Sequence, residues 1–249
     1  MKYLCKLQYD GTNFCGFQVQ PNGRTVQKTL STAANTVFGK PVKVTGCSRT
    51  DSGVHAKEFC ATLELEGGTL PIPPEKLPLA ILPHLPDDLS LYEAVAVSDD
   101  FHPRYSVVRK EYEYLIYNER VPSPFLKNRV WQIARPIDDD ALLRMQSAAT
   151  SLIGRRDFAS FMAEGSDIKD TVRTVDLCRV ERNGSLISVT VGADGFLYRM
   201  VRNIVGTLVD VAFGRIAPGD IDGILNAKNR ASAGQTAPPE GLYLKSVFY

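Results

Sequence analysis

This 249-residue chain has no excess of either charge, no paired cysteines and no long apolar run. Each absence removes a class of function. Lysine and arginine number 29 against 28 aspartates and glutamates, so the field of a strongly basic nucleic-acid binder is missing from the total. The five cysteines, Cys5, Cys15, Cys47, Cys60 and Cys178, are odd in number, scattered and never spaced Cys-x-x-Cys. That pattern argues against a disulfide framework and against a zinc site, and points to reduced thiols. No stretch approaches the roughly 18 apolar residues that span a bilayer. The opening Met1-Lys2-Tyr3-Leu4-Cys5-Lys6 does not begin an apolar run ending in a small-residue cleavage site. The expectation is a cytoplasmic protein. At 44% hydrophobic and 23% charged residues it has the composition of a globular chain with one large core or two smaller ones.

What charge there is gathers locally. Arg104, Arg109 and Lys110 fall close together, as do Arg155 with Arg156 and Arg199 with Arg202. Such clusters neutralise phosphates even when acids elsewhere balance the total, although the same pattern also describes a solvated face.

Periodicity supplies the elements. Tyr3, Cys5, Leu7 and Tyr9 alternate with polar residues and predict a strand ending at Asp10-Gly11. Val26, Leu30, Ala33, Ala34 and Val37 recur at helical spacing up to Gly39. Short strands are expected over Val42 to Thr45, around Phe59, Ala61, Leu63 and Leu65, and from Leu89 to Val97, with a proline-rich stretch from Gly67 to Pro86 between the last two. After Phe101-His102-Pro103-Arg104 the pattern starts again. Val108, Lys110, Tyr112, Tyr114 and Ile116 share one face of a strand, and Leu142, Met145, Ala149 and Leu152 mark a helix. Two strands then flank the hairpin signal Asn183-Gly184. An apolar stripe from Leu197 to Val211 predicts a helix terminated at Gly214, followed by a short helix at Ile221 to Leu225 and a closing strand from Leu242 to Phe248. The chain therefore reads as α+β in two successive halves, 1–104 and 105–249.

The most informative segment is Gly46-Cys47-Ser48-Arg49-Thr50-Asp51-Ser52-Gly53-Val54-His55-Ala56. It is polar and glycine-rich, it lies between two expected strands, and it carries one carboxylate with no second acid beside it. Loops on a rigid scaffold are where catalytic groups are usually carried. Each candidate also has a bland reading. Asp51 and Arg49 alone are turn and surface residues, Arg202 is an arginine snorkelling from an apolar helix, and Tyr112 is a core tyrosine. Asp51-Ser52-Gly53 is also the tripeptide of aspartic proteases, whose chemistry needs two carboxylates where this chain has one copy.

Taken together, these motifs resemble the TruA family of tRNA pseudouridine synthases. The match comprises Tyr9-Asp10-Gly11 with Phe14, Gly16 and Gln18; Thr25-Val26-Gln27; Arg49-Thr50-Asp51; Phe101-His102-Pro103-Arg104; Tyr112 and Tyr114; Asp157-Phe158 with Ser160-Phe161; Met200 to Gly206; and Thr236-Ala237-Pro238-Pro239 with Gly241-Leu242. The resemblance implies two α/β-sandwich halves of ferredoxin or RRM-like type, each with a mainly antiparallel sheet, in a homodimer. The first half would carry the catalytic loop and the second would complete the cleft. It implies an isomerase, an intramolecular transferase that converts uridine to pseudouridine in the anticodon stem-loop of tRNA without metal or organic cofactor. A non-catalytic RNA-binding protein on the same scaffold is the alternative.

The reaction breaks the N1 to C1′ bond, turns the uracil and joins C5 to C1′. A carboxylate can serve it by adding to an electrophilic carbon or by removing a ribose proton, and the residues leave both routes open. By the resemblance Asp51 is that carboxylate, Arg202 its partner, Tyr112 stacks on the uracil, and Arg49 fills space or holds phosphates around the extruded nucleotide. His55 reads as a turn-stabilising residue, and Asp157-Phe158 with Ser160-Phe161 as a structural corner. Gly46, Gly53 and Gly206 would permit backbone geometry or close packing. The chain departs from the family's common pattern at Cys47, Ser48, Ser52 and Arg156, the last either a phosphate contact or a residue facing solvent.

Overall fold

In chain order the strands and helices are β1 (Lys2–Tyr9), α1 (Val26–Phe38), β2 (Val42–Gly46), β3 (His55–Leu65), α2 (Leu77–Ile81), β4 (Leu89–Val97), β5 (Arg109–Tyr117), β6 (Trp131–Gln132), α3 (Asp139–Thr150), β7 (Gly154–Asp157), β8 (Val172–Asn183), β9 (Leu186–Ala193), α4 (Met200–Ala212), α5 (Ile221–Ala227) and β10 (Leu242–Phe248). The computed structural model describes residues 2–65, 68 and 70–249. Gly67, the first residue of the expected proline-rich stretch, lies outside the described residues, as do Met1, Glu66 and Thr69. Two α+β units result: Met1–Val108 with Tyr243–Tyr249, and Arg109–Leu242. The expected division at 104 thus falls a few residues before the observed one. The closing strand, read as part of the second half, joins the first unit because Tyr243 and Leu244 pair in parallel with His55 and Ala56.

In the first unit β3 is the central strand. β1 runs antiparallel along one edge, from Tyr3 opposite Leu63 to Tyr9 opposite Ala56. The other edge is shared: β2 pairs with Ala61 to Leu65, and β10 takes the beginning of the strand. β4 lies outside β1, and an extra residue at Tyr92 shifts the register between Lys6 and Leu7. This bulge flips the strand's faces. Leu89 and Leu91 are buried before it, Ala94 after it, and Val95, expected inside, is 44% exposed. Helix α1 starts at Thr25, whose hydroxyl accepts from the Lys28 amide at 3.4 Å, and stops at Gly39 in the left-handed conformation, φ 65°. Phe38 rather than Val37 fills the last buried position. The proline-rich stretch is not an irregular connector. Pro74, Pro78 and Pro83 sit in the first turns of successive short helical segments, where a missing N–H costs nothing.

In the second unit the order is β5-β9-β8-β7, all antiparallel, with β6 beside the end of β5. Along β5 the expected face is the buried one: Lys110, Tyr112, Tyr114 and Ile116. The β8–β9 turn is Gly184-Ser185, one residue later than the sequence signal, with Gly184 at φ 58°. Helix α3 packs on β8 and on α4. Every residue of α4 is buried, including Arg202, Asn203, Thr207 and Asp210. A helix apolar on one stripe and polar on another can be buried all round only if the polar stripe is hydrogen-bonded. It ends as predicted at Gly214, φ 71°, in a Schellman motif: Gly214 donates to Val211 O at 3.0 Å and Arg215 to Asp210 O at 2.9 Å.

Candidate active site

Asp51 sits in the eight-residue connection from β2 to β3, and the backbone is clamped on both sides of it. The Phe17 amide donates to Thr50 O at 3.2 Å, the Gly53 amide to Phe14 O at 3.2 Å, and the Val54 amide closes the turn on Asp51 O at 3.2 Å. The Ser52 hydroxyl adds a bond to Phe14 O at 3.3 Å, and Thr50 Oγ1 shares a hydrogen with Tyr9 Oη at 2.9 Å. Asp51 itself is half-buried and Arg49 exposed. The clamp is the segment after β1, which explains its glycines. A Cβ on Gly11 would lie 2.0 Å from Val54 O, and one on Gly16, at φ 81°, 2.4 Å from Thr50 O. At Gly46 a Cβ would strike Phe17 and Phe59, which stack at 4.4 Å below the loop.

Beneath this clamp lies support that periodicity does not disclose. Phe14 is covered by the Arg24 guanidinium at 4.1 Å, and Arg24 grips Asp88 with two bonds of 2.6 Å. The Asp88 carbonyl in turn accepts from the Asp10 amide at 3.0 Å. His55 is buried, its Nδ1 accepts from the Gly11 amide at 3.0 Å, and its ring stacks on Tyr243 at 4.6 Å. Asp10 Oδ1 lies 3.2 Å from the same nitrogen. His55 stabilises the turn, as its position in the loop suggests.

Tyr112 and Arg202 belong to the second unit. Tyr112, buried on β5 opposite Val191, meets Phe196 edge to face at 4.9 Å. Arg202 stands in the first turn of α4 and is 9% exposed. Its Nε donates to Ala237 O at 2.7 Å. A guanidinium used in this way presents its Nη edge, rather than the Nε–Nη fork, to any other partner. Tyr114, two residues beyond Tyr112 on the same face, donates to Pro238 O at 2.7 Å. Burial, then the charge of Glu240, pushes its phenol above the usual range, while Arg202 opposes the shift.

The other basic residues divide. Arg109 is bound by Asp176, at 2.5 and 2.9 Å, and by Glu111 at 2.6 Å. Arg156 pairs with Asp222 at 3.0 Å. Arg155 is exposed, and Arg199 opens α4 in the left-handed region, φ 57°, with its guanidinium 4.9 Å above the Tyr198 ring. Phe158 and Phe161 are fully buried, and Ser160 Oγ donates to Ile224 O at 2.6 Å and accepts from the Asn229 amide at 2.9 Å, so this segment forms a corner. Among the described residues no group of three His, Cys, Asp or Glu side chains is placed to hold a metal ion. No helix among them is long and apolar enough to cross a membrane.

Comparison with known proteins gives one answer. The family described as tRNA pseudouridine synthase matches residues 7–106 and 148–249. A tRNA pseudouridine synthase A of Thermoanaerobacter sp. (strain X514) is 44% identical over 243 residues, 98% of this chain and 97% of the relative. One from Acetivibrio thermocellus is 41% identical over 243 residues, with 98% and 97% covered. One from Bacillus licheniformis is 42% identical over 251 residues, with 100% and 99% covered.

Proposed function

The chain belongs to the tRNA pseudouridine synthase family and isomerises uridine to pseudouridine in tRNA, and from that premise we propose that Asp51 is the carboxylate on which the reaction turns. The observation that carries this reading is the clamp around Asp51, made of Phe17 to Thr50 O and Gly53 to Phe14 O. It fixes the backbone on either side while the side chain stays half-buried. A rigidly held carboxylate approaches a reacting carbon or a ribose proton with little entropy left to lose. Both routes use the ionised form, and both conserve every atom of the nucleoside: the N1–C1′ bond breaks, C5–C1′ forms, and the C5 proton is lost as N1 gains one.

The substrate is the anticodon stem-loop, and the target nucleotide leaves its stack, at a cost of about a few kcal/mol that the pocket offsets. On the family resemblance Tyr112 stacks on the uracil, Arg49 holds the phosphates around it, and Arg202 supplies the positive charge that the carboxylate needs. The isomerisation consumes no co-substrate, since substrate and product hold the same atoms at the same oxidation level, and the family resemblance implies neither metal nor organic cofactor. The enzyme works in the cytoplasm as a homodimer whose two copies assemble a basic cleft; sedimentation of a fully active monomer would refute that part. The alternatives of a non-catalytic RNA-binding protein and of an aspartic protease have no support in the family match.

The deciding experiment is Asp51→Asn. The variant is expected to keep its melting temperature and its affinity for unmodified tRNA while losing pseudouridine formation by several orders of magnitude. Turnover near that of the unaltered protein would remove Asp51 from the chemistry.

A further inference from the structure

Arg202 is tied to an irregular segment, residues 233–238, that belongs to no strand or helix. Its Nε donates to Ala237 O at 2.7 Å, and the Ala237 amide donates to Arg202 O at 3.0 Å. The direction of the guanidinium is therefore set by where this segment lies.

A second set of side chains, centred on the buried Asn203, holds the segment. Thr236 Oγ1 donates to Asn203 Oδ1 at 2.6 Å, and Arg230 Nη2 donates to both, at 3.1 Å to Asn203 Oδ1 and 3.0 Å to Thr236 Oγ1. Asn203 is fully buried and is anchored in turn by its Nδ2, which donates to Phe161 O at 2.7 Å. Tyr114 Oη fixes the next carbonyl, Pro238 O, at 2.7 Å. Gly206 lets the helix press against the segment, since a Cβ there would lie 1.8 Å from Gln235 O. Three consecutive residues are thus each pinned, Thr236 by its side chain, Ala237 by Arg202 and Pro238 by Tyr114.

A hydrogen-bond network anchored on a fully buried residue such as Asn203 rigidifies what it holds, and a reacting group is useful only when aimed within a fraction of an ångström. We propose that Thr236 and Asn203, with Tyr114, are positioning residues that aim the Arg202 guanidinium by holding the Ala237 carbonyl in place. None of the three touches substrate in this proposal. It rests on the reading of Arg202 as a participant in the reaction.

The test compares Thr236→Val, which keeps the volume and removes the hydroxyl, with Thr236→Ser, which restores it. Thr236→Val is expected to lower kcat by about tenfold while KM for tRNA stays within about twofold. Thr236→Ser should recover most of the loss. Tyr114→Phe, which frees Pro238 O by a different route, is expected to show the same split between kcat and KM, and serves if Thr236→Val does not fold. In the double variant Arg202→Lys/Thr236→Val the second change should cost nothing further, because the group being aimed is gone. A lower melting temperature with unaltered kcat in both Thr236→Val and Tyr114→Phe would mean a purely structural role and overturn the proposal, as would additive losses in the double variant. Arg202→Lys with full turnover would instead overturn the underlying reading of Arg202, so the two failures are separable.

Discussion

The amide of Gly53 donates to the carbonyl oxygen of Phe14 at 3.2 Å, tying the turn after Asp51 to the segment that follows β1. The first prediction concerns the clamp of which that tie is one half, the other being the Phe17 amide on Thr50 O. Gly16→Ala puts a Cβ 2.4 Å from Thr50 O at φ 81°, so the clamp must open. Gly39→Ala has the same kind of backbone, φ 65°, and nothing within 4 Å. Both should lose about 1 kcal/mol from the left-handed backbone, and Gly16→Ala considerably more from the collision. Only Gly16→Ala should lower kcat among molecules still folded. Equal kcat in the two variants would show that the clamp does not set the Asp51 geometry.

A second prediction follows from how Arg202 is used. Lysine offers one ammonium where arginine offers an Nε for the Ala237 carbonyl, 2.7 Å away, and an Nη edge besides. Arg202→Lys should therefore lose most of the activity even though the charge remains. It should also lose about 1.5–3 kcal/mol of stability with the charged hydrogen bond to Ala237. Urea unfolding and single-turnover kinetics on the same preparation separate the two effects. Unchanged turnover would refute the role.

The third prediction is a pH effect on stability. Asp157 accepts from Thr171 Oγ1 at 2.5 Å, from the Ala159 amide at 3.1 Å, and lies 2.9 Å from Lys228 Nζ. The Thr171 hydrogen bond first, and then Lys228 and the Ala159 amide, outweigh desolvation and hold this carboxyl below the usual carboxylate range. A carboxyl depressed in the folded state contributes its stability above the unfolded value, about 4, and loses it as pH falls through the lower folded value. Asp157→Asn should accordingly cost stability at pH 7, and the gap to the unaltered protein should close on acidification below about 4. Because the site is close to solvent, the electrostatic part should also shrink in high salt. A gap constant from pH 7 to pH 3 would exclude the charge as its cause.

Regular periodicity is legible in the sequence, and the rest depends on partners distant along the chain. The alternation in β5 and the Gly214 stop of α4 can be read from residues alone because each is local. The inward face of β4 departs from expectation beyond Tyr92, since one inserted residue inverts a period of two and leaves no mark in composition. Helix α2 is hidden because proline counts against helices unless it occupies the first turn. The closing strand belongs to the other half from the one expected, because parallel pairing of Tyr243 with His55 has no local signature. In the candidate site Asp51 and Arg49 stand out by their setting among small polar residues. The bonds that hold them run mostly between backbone groups, which any residue supplies. The Arg24 to Asp88 grip and the Asn203 to Thr236 bond join residues whose neighbours give no reason to pair them.

The last prediction separates the arginines that face RNA from those that serve the fold. A near-neutral protein binds a polyanion through a few placed cations, and removing one phosphate-binding cation should lower the slope of log K against log salt by about one. Arg49 is exposed in the Asp51 loop. Arg109 is engaged by Asp176 at 2.5 Å and Glu111 at 2.6 Å, so its charge is balanced within the protein. Arg49→Ala should therefore weaken tRNA binding and flatten the salt dependence while leaving the melting temperature within about 1–2 °C. Arg109→Ala should do the reverse, destabilising the fold because two carboxylates lose their partner, with the salt slope unchanged. Binding isotherms at a series of salt concentrations for both variants make the comparison. If Arg109→Ala flattened the slope as much as Arg49→Ala, the acids around Arg109 would not be neutralising it, and the RNA-facing surface would have to include β5.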